Sequence, residues 1–97
     1  MNIYPAEIEN ALIAHPAVAD CAVVGIADQL LGETPHAIVQ LAADAVPSAD
    51  LTRDLLAFLG TRLAAMKLPR RIEYRRCLPR DGNGKLLRRA LRQEISV

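Results

Sequence analysis

The stretch VADCAVVGIADQLLGETPHAIVQLA, Val18 to Ala42, decides how the chain folds. Its first part, VADCAVVGIAD, is almost continuously apolar and rich in β-branched residues, the pattern of a strand covered on both faces. QLLGE then turns the chain. TPHAIVQLA alternates, with Ala37, Val39 and Leu41 on one side and His36, Ile38 and Gln40 on the other. Pro35 cannot donate to a ladder, which argues for a strand start or a sheet edge at that point. A strand buried on both faces needs helices to cover it, so the segments on either side should be helical.

Upstream, NIYPAEIENALIAHP carries marked helix ends. Pro5 suits the first helical position, Glu7 is placed to reach back to the Tyr4 amide, Ile3 can staple onto Ile8, and Pro16 stops the run. The inward face is Ile8, Ala11 and Leu12, extending to His15. Downstream, the small-residue linker ADAVPS leads to a helix capped by Ser48 or Asp50, with Leu51, Leu55, Phe58, Leu59, Leu63 and Met66 on one stripe and Gly60 weakening it slightly.

A third strand is expected around residues 71–76, where LPRRIEYRRCLP alternates between prolines. After a glycine loop, Leu87, Leu91 and Ile95 recur every four residues and predict a last helix whose other face is arginine. The order is helix, strand, strand, helix, strand, loop, helix, and the class is α+β, a sheet of about three strands flanked by helices.

With 97 residues the chain can build one modest core but cannot enclose a deep substrate cavity unaided. No apolar run reaches the ~20 residues a bilayer span requires, and no secretory pattern opens the chain, so the cytoplasm is the expected compartment. Cys21 and Cys77 are read as two buried reduced thiols, and no metal-ligand spacing occurs. His15 and His36 have no recognisable nucleophile partner and read as structural or surface residues.

The net charge of +1 hides an asymmetry: residues 1–61 hold eight acids and one base, whereas residues 62–97 hold eleven bases and three acids. Such a cationic third either faces an anionic partner or neutralises the acidic part across the fold. The basic third has a single aromatic, Tyr74, which gives nucleic-acid stacking little support.

The loop DGNG concentrates the chemistry. Gly82, Asn83 and Gly84 all tolerate positive φ. Lys85, Arg88 and Arg89 then crowd the start of the last helix, where the macrodipole is already positive and each added cation is unfavourable by about 0.3–1 kcal/mol. A helix selected for stability alone would carry acids there, so a phosphate or carboxylate from elsewhere is the expected counter-charge. The alternative is a solvated turn; a phosphate-binding P-loop is excluded by spacing.

Taken in order, NIYPAEIENAL (2–12), HPAVADCAVVGIAD (15–28), GETPHAIVQL (32–41), KLPRRIEY (67–74) and LPRDGNGKLLRRAL (78–91) resemble the small C-terminal domain of acyl- and aryl-CoA ligases in the adenylate-forming superfamily. The resemblance covers nearly the whole chain. It implies a lid, residues 1–97, that moves over a large N-terminal domain binding ATP, Mg and a carboxylic acid, with coenzyme A as the second substrate. It places Lys85, after Gly84, at the catalytic lysine that meets the acyl-adenylate. It points to Lys67 and Arg70 for the phosphates of coenzyme A, and to Leu31 and Gly32 for its pantetheine arm. Asp81 and Asn83 depart from the usual Thr and Ser or Thr of that loop, which puts the loop's local hydrogen bonds in question. No nucleotide-binding domain is present in these 97 residues, so the chain alone is expected to be inactive; a freestanding docking module acting with a partner is the alternative. Met1 reads equally as an initiator or as an internal residue.

Overall fold

A computed structural model describes residues 3–96, with Ser96 described by its backbone alone. Met1 and Asn2, where the resemblance begins, and Val97 lie outside the described residues. The elements run α1 (Pro5–Ile13), β1 (Val18–Asp28), β2 (Gly32–Leu41), α2 (Ala49–Gly60), a 3-10 turn (Ala65–Lys67), β3 (Arg71–Tyr74) and α3 (Arg88–Ser96). The predicted α+β order holds.

β1 and β2 form an antiparallel hairpin, and β3 joins β2 in parallel, so β2 is central in the order β1-β2-β3. A parallel neighbour requires a crossover, which α2 supplies. Pro35 was expected at a strand start or edge and instead lies inside the central strand. Its carbonyl accepts from Arg70 N at 2.9 Å. The missing N–H therefore faces the β3 side, one residue ahead of the first β2–β3 pair, His36 with Arg71, and no ladder bond is lost.

Two cores lie on opposite faces of the sheet. On one, Ile8 and Leu12 of α1 and Leu55 and Leu59 of α2 pack on Cys21, Val23, Ala37 and Val39. On the other, Leu91 of α3 and Leu78 cover Ala22, Val24 and Ile38. Both strand patterns are thus borne out. A register shift between Val18 and Asp20 explains a detail of β1: it places Val18 in the first core with Cys21 and Val23, against strict alternation.

The helices hold smaller differences. Ser48 caps α2 by accepting from Leu51 N at 3.0 Å. The helix was expected to run to Met66 but ends at Gly60; Leu63 still packs on the first core from the following turn, whereas Met66 is exposed. The Tyr4 N-cap makes no side-chain cap bond, and Glu7, expected to reach back to the Tyr4 amide, turns outward to Lys67. Leu87 precedes α3 and is exposed, and Leu86 takes its place against the second core. His15 is buried as a structural residue: Nδ1 accepts from Ala17 N, which leaves the proton on Nε2 to donate to Asp54. Cys21 is buried, and desolvation with nearby Glu9 and Asp20 pushes its thiol up to about 12. Cys77, expected buried, is exposed; the two cysteines are not joined.

Candidate functional site

The Lys85 loop is built by Asp81. Arg80 and Leu86 pair as an isolated antiparallel bridge. Within it Asp81 N donates to Lys85 O at 2.9 Å and Gly84 N to Asp81 O at 3.0 Å. The Asp81 carboxylate accepts through Oδ1 from Asn83 N at 2.8 Å and from Lys85 N at 2.9 Å. The departure from threonine therefore supplies the loop with its acceptor rather than removing one. Of the three residues expected to tolerate positive φ, only Gly84 uses it, at 82°.

The Lys85 side chain is exposed and has no hydrogen bond or ion pair among the described residues. It borders an open hollow of about 740 Å³ along the start of α3, together with Leu86, Leu87, Arg88 and Arg89. An ammonium with three donors beside a cationic helix start concentrates positive charge at this hollow.

Arg88 corrects the expectation of an external counter-charge for the whole cluster. Its guanidinium forks onto the Glu9 carboxylate of α1, with Nη2 to Oε1 at 2.8 Å and Nη1 on Oε2, and Nη1 also donates to the Val23 carbonyl at 2.8 Å. Val23 N donates to the same Glu9 at 2.8 Å. Hydrogen bonding to Glu9 raises the Arg88 pKa further. Arg80 with Asp20 and Lys67 with Glu7 likewise join the basic and acidic parts, whereas Arg75 pairs with Glu73 and Glu94 inside the basic part. Among the described residues, internal pairing thus neutralises three of the eleven bases of the basic part against the acidic part, and Lys85 is among those it leaves out.

A second hollow, about 300 Å³, brings Leu31 and Arg70 together with Thr34, Pro35, Met66 and Leu68. The hairpin tip is held by Asp28, whose carboxylate accepts from Leu30 N and Leu31 N at 2.9 Å each; those bonds hold it below its usual range. Gly32 turns the chain into β2 with φ 84° and lies opposite Asp28 rather than in that lining. Lys67 points to Glu7 of α1, its Nζ 2.8 Å from Oε1. Of the four residues assigned to coenzyme A, two are gathered in one hollow, and the Lys85 hollow shares no lining residue with it.

Sequence reasoning missed Asp20, Glu9 and Arg80 as the charged residues surrounding the Lys85 segment. Arg80 reaches Asp20 across 60 positions and Arg88 reaches Glu9 across 79, separations for which spacing offers no signal.

The AMP-binding enzyme C-terminal domain family matches residues 7–85. The chain is 50% identical over 94 residues to the fatty acid–[acyl-carrier-protein] ligase ScoC of Streptomyces coeruleorubidus, covering 97% of this chain and 18% of that protein. It is 44% identical to a feruloyl-CoA synthase of an Amycolatopsis species, with the same coverage. The o-succinylbenzoate CoA synthetase of Bacillus subtilis, solved with its acyl-adenylate intermediate, superposes with a TM-score of 0.82 at 40% identity, over 94% of this chain and 18% of that one. The chain therefore spans less than a fifth of the length of these relatives. With the family matched from α1 to the Lys85 loop and its fold reproduced in a solved relative, this chain belongs to the AMP-binding enzyme C-terminal domain family of the adenylate-forming superfamily.

Proposed function

We propose that this chain is the mobile C-terminal domain of an ATP-dependent acyl- or aryl-CoA ligase and that Lys85 is its catalytic lysine. The observation that carries the reading is the Lys85 side chain itself, exposed and unpaired among the described residues, on a loop whose backbone is tied at both ends of the residue. Adenylation joins a substrate carboxylate to the α-phosphate of ATP and releases pyrophosphate. A protonated Lys85 brings a compact positive charge to the carboxylate and phosphate oxygens as the transferring group moves, without itself forming a bond. In the second half-reaction the thiol of coenzyme A displaces AMP. The hollow of Leu31 and Arg70, with Gly32 at the turn and Lys67 nearby in sequence, is assigned to the pantetheine arm and the phosphates. That the two hollows share no residue supports one domain presenting different surfaces for the two steps.

No three His, Cys, Asp or Glu side chains gather among the described residues, so no metal cage is assigned to this domain. Mg and most of the ATP contacts belong, in this reading, to a large N-terminal domain, and the 97-residue chain is inactive alone. The reducing cytoplasm suits its unjoined cysteines. A second acceptor is favoured by one relative: ScoC is named as an acyl-carrier-protein ligase, so a carrier-protein thiol stands beside coenzyme A as the group acylated.

The test is Lys85→Ala in the assembled ligase. Pyrophosphate exchange should fall about 100-fold or more, while thioester formation from supplied acyl-adenylate persists. Equal loss of both half-reactions would overturn the role of Lys85.

A further inference from the structure

Arg80 lies five residues before Lys85, at the other end of the same loop, and its guanidinium is fully engaged. Nε and Nη2 meet Asp20 Oδ2 at 3.1 and 2.9 Å, and Nη2 meets Oδ1 at 2.8 Å. Nη1 turns the other way and donates to the carbonyl of Gly84 at 2.8 Å. Gly84 O belongs to the peptide whose nitrogen is Lys85 N, and that nitrogen donates to Asp81. Both polar groups of the Gly84–Lys85 peptide are therefore held, the oxygen by Arg80 and the N–H by Asp81. Asp81 answers to the loop alone. Arg80, through Asp20, refers the loop to β1, the strand packed by α1 on one face and α3 on the other.

Asp20 opens the regular register of β1, just after the shift that separates it from Val18. It has the parity of Ala22 and Val24 and points to the face that α3 and Leu78 cover. The same face carries the Lys85 loop.

We propose that Asp20 and Arg80 are positioning residues for Lys85: the Asp20–Arg80 fork fixes the Gly84–Lys85 peptide to the sheet and so sets where the ammonium arrives in the adenylation pose. This rests on the reading of Lys85 given above. Arginine suits the task because its planar fork spans a carboxylate and a carbonyl at once; lysine, a point charge, cannot hold both in fixed geometry. As an ion pair the contact is partly exposed, with side-chain exposures of 37% and 30%, and its contribution to global stability is correspondingly small. Its effect on catalysis is larger, because a displacement on the order of 1 Å at a reacting group costs up to about 100-fold in rate.

The experiment measures both half-reactions and the thermal midpoint for Asp20→Asn, Arg80→Ala and Arg80→Lys in the full ligase, each also combined with Lys85→Ala. The expected result is a fall of about tenfold in kcat for pyrophosphate exchange with Asp20→Asn or Arg80→Ala. KM for ATP and thioester formation from supplied acyl-adenylate should be little changed, and Arg80→Lys should recover part of the rate. On the Lys85→Ala background neither substitution should reduce adenylation further, because both act through a side chain already removed. Loss of both half-reactions in step with a lowered thermal midpoint would overturn the proposal in favour of plain structural support, and so would losses that add to that of Lys85→Ala. An unimpaired Lys85→Ala enzyme sinks the Lys85 reading itself, an outcome distinct from a normal Arg80→Ala enzyme in which Lys85→Ala is dead.

Discussion

The two faces of the sheet are held by different means. The face under α1 and α2 is closed by aliphatic packing, with Ile8, Leu12, Leu55 and Leu59 essentially inaccessible. The face under α3 has a smaller cluster, and charge pairs complete it: Glu9 with Arg88, Asp20 with Arg80, and Glu94 with Arg75. Packing is close to all-or-none, whereas ion pairs at a partly wet surface can be remade at modest cost. The face that carries Lys85 is the one closed in part by ion pairs at a partly exposed surface.

The largest effects should come from the first face. Leu12→Ala or Leu59→Ala is expected to cost about 2–5 kcal/mol in urea unfolding, while Leu91→Ala on the second face should fall at the low end of that range because its surroundings can collapse more easily. Equal costs on both faces would erase the contrast.

The next effect tests the charged closure. Glu9 is only 16% exposed and bonds Arg88 and the Val23 amide together. Removing it leaves a part-buried guanidinium and an N–H without their acceptor, so Glu9→Ala should destabilise by about 1.5–3 kcal/mol. Glu9→Gln, which keeps an acceptor for Val23, should cost less. A neutral outcome for Glu9→Ala would mean that α3 is held by Leu91, Ile95 and the Glu94–Arg75 pair without help from Glu9.

These charged contacts mark the limit of what the sequence revealed. The strands were legible because apolar alternation survives in the residues themselves: Ala37 and Val39 against Ile38 needed no structure to sort. Ser48 announced its cap in the same local way. The helix end at Gly60 was not legible, because Leu63 continues the stripe on an irregular turn that packs just as well. Glu9 and Arg88 could be read only as an acid on one helix and a cation on another. The excess of positive charge at the start of α3 signalled a need for counter-charge, but it could not say that for Arg88 the anion is the internal carboxylate of Glu9.

Two glycines sharpen the same point at smaller scale. A Cβ on either Gly60 or Gly84 meets nothing within 4 Å, so only backbone conformation separates them. Gly84 stands at φ 82°, where a side chain costs about 1–2 kcal/mol, so Gly84→Ala should lower stability by that amount and disturb the Lys85 loop. Gly60 closes α2 in helical conformation, and Gly60→Ala should raise stability by about 0.5–1 kcal/mol with no effect on adenylation. Thermal unfolding of both variants gives the two signs directly.

The smallest effect belongs to His36, which lies opposite Val24 on the α3 side of the sheet with its Nδ1 buried and unpaired among the described residues. Desolvation lowers its pKa below the usual 6.5, and the cations Arg71 and Arg70 push the same way against a weaker pull from Glu73. The unfolded chain therefore binds a proton at a higher pH than the folded one does. Stability is fully present above about pH 6.5 and is lost as pH falls through that value toward the folded pKa. Unfolding midpoints at pH 7.5 and 5.5 should differ more for the native chain than for His36→Gln, which has no group titrating in that window. An identical pH dependence in both would show that His36 does not carry the acid sensitivity of this face.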